Sequence, residues 1–335
     1  MTFKKLHTKI RNKLWNKTVS LTRNKSIYHY LYKSYWHYLF QRKVESQNKI
    51  CFYTAQPNLG AGIGHQMANW IAGYWFSKQF GLQFAHIPFS TQKWEDFLGF
   101  GEDEPKMISL LTNGYKKVKL PLFDEDNTSE VSLQKKIISS YANQKVVFVA
   151  EQDQAYKDQF GVMDVIKYKF NNNAARSKEN LIYNSNCFNI AVHVRRTVII
   201  DHKVILEDEA AKAMRWLSND YYEKVLKQVV ENLNIDKPIS IYIFSTGRPE
   251  EFAEFSKYGD VHFCSDMDEY KSFLHLIRAD ILITSKSSFS YKPALMNDAI
   301  KVCPRNFWHS YPSDKNWILV ENDGSFDVTA LNQIT

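Results

Sequence analysis

The sequence predicts an α/β protein built from two Rossmann-like halves, and three observations lead there. From Lys49 onward, short apolar runs of strand character alternate with stretches whose apolar residues recur at helical spacing, the pattern of parallel sheets covered by helices. At 335 residues the chain is too long for one comfortable core. The polar stretch 171–180 offers a place to divide it. The expected division is an arm over residues 1–48, one Rossmann-like domain over 49–180 and a second over 181–335.

The elements follow in order. Residues 50–54 are expected as the first strand, and the loop Pro57-Asn-Leu-Gly-Ala-Gly-Ile-Gly-His-Gln66 leads from it into a helix on which Met67, Trp70, Ile71 and Tyr74 share a face. Residues 82–87 and 146–150 supply further strands, with a polar, less regular span around 125–130 between them. In the second half, strands are expected at 188–194, 239–244, 261–264, 281–284 and 300–302. The continuous run Ile239-Ser-Ile-Tyr-Ile-Phe244 fits a sheet covered on both faces. Tyr221, Tyr222, Val225, Leu226, Val229, Val230 and Leu233 form one amphipathic stripe, and Pro249 suits the first turn of the next helix. There is no internal repeat and no low-complexity tract.

Composition narrows the classes. Cys51, Cys187, Cys264 and Cys303 lie far apart without CxxC spacing, which argues against a disulfide scaffold and a zinc site and points to a reducing cytosol. No apolar run approaches the roughly 20 residues of a membrane span, and the N-terminus lacks the apolar core of a signal peptide. The first 50 residues carry twelve Lys or Arg against Glu45 alone, a net +11 that leaves −4 on the rest of a chain of net +7. Within them lies Tyr28-His-Tyr-Leu-Tyr-Lys-Ser-Tyr-Trp-His-Tyr-Leu-Phe40. Cationic and aromatic together, residues 1–48 read as an arm on an anionic membrane surface, making the protein cytoplasmic and peripheral. A helical extension packed on the body is the alternative. A nucleic-acid arm fits poorly with an acidic remainder.

Four motifs bear on chemistry. At 188–196 an apolar strand ends in His193, Arg195 and Arg196. Arg keeps its charge and offers a rigid fork matched to phosphate, and ligands of open α/β sheets gather at the carboxyl ends of strands, so a nucleotide-sugar diphosphate is the candidate ligand. Gly60, Gly62 and Gly64 lie between a strand and a helix, where backbone amides can approach an anion, with His65 and Gln66 at the helix start. Their G-x-G-x-G spacing, and a second strand with no acidic end, argue against a dinucleotide fingerprint, and a plain tight turn is the alternative. Ser285, Ser287, Ser288 and Ser290 sit at a strand-to-helix junction with hydroxyls and amides suited to phosphate; no G-x-S-x-G elbow is present. Asp266-Met-Asp268 offers a DxD, so a metal-dependent transferase of another nucleotide sugar stays open, as does a solvated helix start at Asp268.

In order along residues 50–310, Gly60-Ala-Gly-Ile-Gly-His-Gln-Met67, His193-Val-Arg-Arg196, Ile241-Tyr-Ile-Phe-Ser245, Asp280-Ile-Leu-Ile-Thr-Ser-Lys-Ser-Ser-Phe-Ser-Tyr291 and Lys301-Val-Cys-Pro-Arg-Asn-Phe-Trp308 resemble the α-1,2-fucosyltransferases and, more distantly, the α-1,6- and protein O-fucosyltransferases. The resemblance implies a GT-B-like fold of two facing Rossmann-like domains, 49–180 on the acceptor side and 181–335 for the donor. It implies an inverting mechanism with GDP-fucose as donor, no essential metal and no cofactor. Carried over, Arg195 holds the β-phosphate and steadies the leaving GDP. His193, Arg196 and Asp266 join the donor set, the 287–289 turn (Ser287, Ser288, Phe289) binds diphosphate beside Ser285, and Ser245 and Thr246 border the nucleoside. Gly62, Gly64, His65 and Gln66 face the sugar and acceptor. Where the α-1,2 enzymes usually carry Gly-Asp after the arginines this chain has Thr197-Val198, their loop asparagine is His65, and their Ser-Trp-Trp is Ser290-Tyr291-Lys292. Asp201 is therefore the first candidate for the base that takes the acceptor proton, and His65 the second. The expected role is sugar transfer to a glycan, free or lipid-linked, in bacterial surface polysaccharide (O-antigen or capsule) assembly; a non-catalytic nucleotide- or sugar-binding module is the remaining alternative.

Overall fold

Apolar patterning sets the elements, and the computed structural model of the chain describes residues 3–41, 50–57, 60–151, 156–196, 198–200, 203–205 and 209–332. The first part runs α1 (Phe3–Thr22), α2 (Lys33–Phe40), β1 (Phe52–Gln56), α3 (Ile63–Gln79), β2 (Gln83–Phe84), α4 (Gln92–Leu98), α5 (Met107–Thr112), β3 (Lys116–Lys119), α6 (Thr128–Ser139) and β4 (Val146–Glu151). It continues with α7 (Met163–Asn172), β5 (Phe188–Val194), β6 (Val198–Ile200), β7 (Lys203–Ile205), α8 (Glu209–Arg215), α9 (Asn219–Asn232) and β8 (Ile239–Ser245). The last elements are β9 (Asp260–Phe263), α10 (Glu269–Arg278), β10 (Ile281–Ile283), α11 (Ser288–Met296), β11 (Ile300–Pro304), β12 (Trp317–Val320) and α12 (Thr329–Asn332).

These elements gather into two compact units that interleave in sequence. The first takes Met1–Gln56, Ala72–Ile87 and Asp103–Tyr156, and the second takes Pro57–Ile71, Pro88–Glu102 and Lys157–Thr335. This division differs from the expected 1–48, 49–180 and 181–335. The helical arm belongs to the first unit, and the glycine loop with the start of α3 clusters with the second. The chain passes to the second unit after Tyr156 rather than within 171–180, because α7 packs on α11.

The first unit holds a parallel sheet in the order β2-β1-β4-β3. Its edge strand β3, Lys-Lys-Val-Lys, was not anticipated, since its half-exposed side chains give no apolar run. The arm covers this edge. Tyr28 and Tyr32 are fully buried with Val19 in a cluster joined by Trp15 and Leu122. Leu122 N donates to the Tyr28 hydroxyl at 2.7 Å, Ser34 Oγ donates to the Lys119 carbonyl at 2.7 Å, and Arg23 Nη1 donates to Glu130 at 3.0 Å. Tyr28 and Tyr32 therefore serve the core of this unit and do not face lipid, while Tyr30, Trp36, Leu39 and Phe40 are exposed.

The second unit holds a six-stranded parallel sheet in the order β12-β11-β10-β5-β8-β9. Counted from β5, this is the doubly wound order 3-2-1-4-5-6. Ile190, Val192, Ile241, Ile243, Ile281 and Ile283 fill the core with the expected α9 face of Tyr221, Tyr222, Val225, Leu226 and Val229. Pro249 opens a 3₁₀ helix, Pro249–Tyr258, rather than an α-helix. β6 and β7 form an antiparallel hairpin, and β12 extends the sheet beyond the last expected strand.

Candidate functional site

β5 and β10 are neighbours and run parallel, with Ile190 opposite Ile281 and Val192 opposite Ile283. Their carboxyl ends therefore open side by side, at the point where the winding of the sheet reverses and where such sheets bind ligands. Two of the sequence motifs meet here. Arg195, just past β5, donates from Nη1 to Ser287 Oγ at 3.3 Å. Ser287 is the cap of α11 and accepts from Phe289 N at 3.2 Å. His193 Nδ1 lies 3.0 Å from Ser285 Oγ. The His193 imidazole is pushed down to about 3, first by its burial and then by the Arg195 charge, so it is neutral at physiological pH. Its ring stands 5.6 Å from Phe289.

The serine turn is held from within. Ser285 N donates to Ser290 Oγ at 3.2 Å, and all four serines are buried. Ser288 Oγ is buried without a hydrogen-bond partner among the described residues, at the first position of α11.

The glycine loop closes on this turn. A Cβ at Gly64 would stand 2.7 Å from the carbonyl carbon of Ser288, so only glycine permits the approach. Gly60 needs glycine for a different reason, its φ of +105°, while Gly62 faces open space. Gln66 does not reach outward as expected. Its Nε2 donates to the Ala61 carbonyl and to Ser90 Oγ, and its Oε1 accepts from Ser90 N at 2.8 Å, so the amide pins the loop. His65 is exposed at the start of α3.

Two buried groups of the second unit were not legible in the sequence: His309, on which the His65 charge acts, and Lys292, whose charge also acts on His309. His309 is 6% exposed, its Nδ1 is buried without a hydrogen-bond partner among the described residues, and its ring stacks on Tyr291 at 4.9 Å. Burial pushes it down to about 2, with the charges of Lys292 and His65 acting the same way. Lys292 is fully buried and donates to Gln159 Oε1 at 2.6 Å. Lys292 stood out in the sequence only beside Tyr291, and His309 gave no signal.

Arg196 corrects another expectation. Its Nη1 donates to the carbonyls of Arg195 at 2.9 Å and Leu217 at 3.2 Å, its Nη2 donates to Asn219 Oδ1, and the guanidinium lies over the Trp216 and Phe252 rings. Both of its terminal nitrogens thus serve the fold. Ser245 ends β8 and accepts from Gly247 N at 3.0 Å, and Thr246 beside it is exposed. Asp266 is exposed, and Asp268 caps α10, its Oδ1 accepting from Lys271 N at 2.8 Å. Asp201 lies outside the described residues.

No family model matches the chain, and no curated protein matches it. Among solved structures it is similar to NodZ, an α-1,6-fucosyltransferase of Bradyrhizobium, co-crystallised with GDP: 11% identity, TM-score 0.46, covering 84% of this chain and 98% of that one. It is similar to POFUT1 in complex with GDP at 13% identity and TM-score 0.45, over 77% of this chain and 99% of that one. FUT1 of Arabidopsis thaliana, in complex with GDP, aligns at 11% identity and TM-score 0.45, over 87% of this chain and 78% of that one.

Proposed function

We propose that this chain is an inverting glycosyltransferase that moves fucose, or a closely related sugar, from a GDP-sugar to a hydroxyl of a glycan. The observation that carries the reading is Arg195, held against the Ser287 cap of α11 at the switch point of a doubly wound sheet. A guanidinium fork lies there against a serine-rich helix start, the kind of donor set a diphosphate takes.

In this reading the acceptor oxygen attacks C1 of the sugar from the face opposite the diphosphate. The C1–O bond to the β-phosphate breaks, its electron pair leaves with GDP, and the anomeric configuration inverts. Negative charge grows on the phosphate oxygens as the bond stretches, so fixed donors aimed at them lower the barrier. The acceptor proton passes to Asp201 or, failing that, to His65, which is exposed on the glycine loop. Neutral His193 places no second cation beside Arg195 and holds the Ser285 end of the turn. Arginine and amides do the electrostatic work, and the reaction is proposed to need no metal.

The test is a thermal shift with GDP, UDP and CMP, each with and without EDTA, followed by transfer from GDP-fucose. GDP should stabilise by about 2.7 kcal/mol at a hundred times its Kd, and EDTA should change neither binding nor transfer. A preference for UDP or CMP, or loss of transfer in EDTA, would overturn the reading. Binding without transfer to any glycan would leave a sugar- or nucleotide-binding module.

A further inference from the structure

The first helix of the arm has two apolar faces, and the body uses one. At roughly 100° per residue, Trp15, Val19 and Arg23 point the same way. Val19 is buried, Trp15 meets Tyr32 at 5.4 Å, and Arg23 pairs with Glu130. On the opposite side Ile10, Leu14 and Leu21 fall within roughly 40° of one another, and they are 52%, 61% and 62% exposed. Arg11, Lys13 and Lys17 on the same helix are exposed, as are Lys25 and Lys33 beyond it. Residues 3–41 contain no acid.

An aliphatic stripe rimmed by cations marks an interaction surface, and charge selects its occupant. A second copy of the same face would bring like charges together. A nucleic acid would satisfy the cations but leave Ile10, Leu14 and Leu21 without the stacking that such partners offer aromatic side chains. A bilayer of anionic lipid meets both features, with headgroups for the cations and an acyl boundary for the stripe. No described helix is long and apolar enough to cross a membrane, so the contact is one of lying on the surface. We propose that the outer face of α1 docks on anionic phospholipid, through the stripe of Ile10, Leu14 and Leu21 in place of the buried Tyr28 and Tyr32.

The test reads vesicle binding alone and is independent of the donor-site reading. The full chain is sedimented with phosphatidylcholine vesicles, with and without phosphatidylserine. It should pellet with the phosphatidylserine vesicles and be released by high salt. Leu14→Ser with Leu21→Ser should lower partitioning by about tenfold or more. Lys13→Glu with Lys17→Glu should do the same. Both pairs sit on exposed positions, so Tm should not change. A full chain that stays in the supernatant, binds both vesicle types alike, or binds equally well in either variant would overturn the proposal. So would self-association without lipid that Leu14→Ser abolishes, which would make a second copy the occupant, or retention on duplex DNA in preference to vesicles.

Discussion

Consecutive side chains of an extended backbone leave it on opposite sides, and Arg195 and Arg196 part on that account just past β5. The first reaches Ser287 Oγ at 3.3 Å, while the second turns back onto the carbonyls of Arg195 and Leu217. Substitution should separate the two roles. Arg195→Ala should lower kcat/KM by roughly 10²- to 10³-fold, the range for removing one fixed donor from a developing oxyanion, with little change in Tm. Arg195→Lys should recover little, because a point charge lacks the fork. Arg196→Ala should instead destabilise by about 2–4 kcal/mol, since it leaves buried carbonyls without donors. Kinetics beside urea unfolding on the three variants decide the matter. An Arg196→Ala protein that is as stable as wild type but has lost GDP binding would reverse the assignment.

At the scale of the element, the arm stabilises the sheet edge it covers. Tyr28→Phe removes the acceptor for Leu122 N and the 3.0 Å contact with the Tyr32 hydroxyl. It should cost about 1–3 kcal/mol, the usual penalty for a buried group left without its partner. Denaturant unfolding checks this; an unchanged midpoint would mean that water replaces the tyrosine. Elements were legible in the sequence where one face or both were apolar. β5 and β8 stand out as continuous buried runs, and α9 shows its stripe. β3 was hidden because three of its four residues are lysines, and β6 and β7 because three residues cannot display an alternation. At the site, residue type was visible but hydrogen bonding was not. Arg196 and Gln66 looked like ligand groups and are held by internal acceptors and donors. The approach of Gly64 to Ser288, like the burial of His309 and Lys292, joins loops distant in sequence and left no local trace.

Across the whole molecule, two buried histidines should govern how stability responds to acid. Folding pushes His193 down to about 3 and His309 to about 2 from an ordinary 6.5, burial being the first cause in both. The unfolded chain therefore binds protons that the folded chain refuses as pH falls below about 6.5, and stability declines with them. Each histidine contributes a slope of up to about 1.4 kcal/mol per pH unit. Glu130, which Arg23 holds below its ordinary 4.5, acts in the same direction only further into acid. The interval from about pH 6.5 to 4.5 thus belongs mainly to the histidines, with His275 contributing in the same direction from its own burial. His309→Phe keeps a ring to stack on Tyr291 and removes the proton site. Urea unfolding from pH 7 to pH 5 should show wild-type stability falling steadily and the variant falling less steeply, by up to about 1.4 kcal/mol per unit. Equal slopes would mean that His309 titrates in the folded protein as it does in the unfolded chain, and would overturn its role in the acid response.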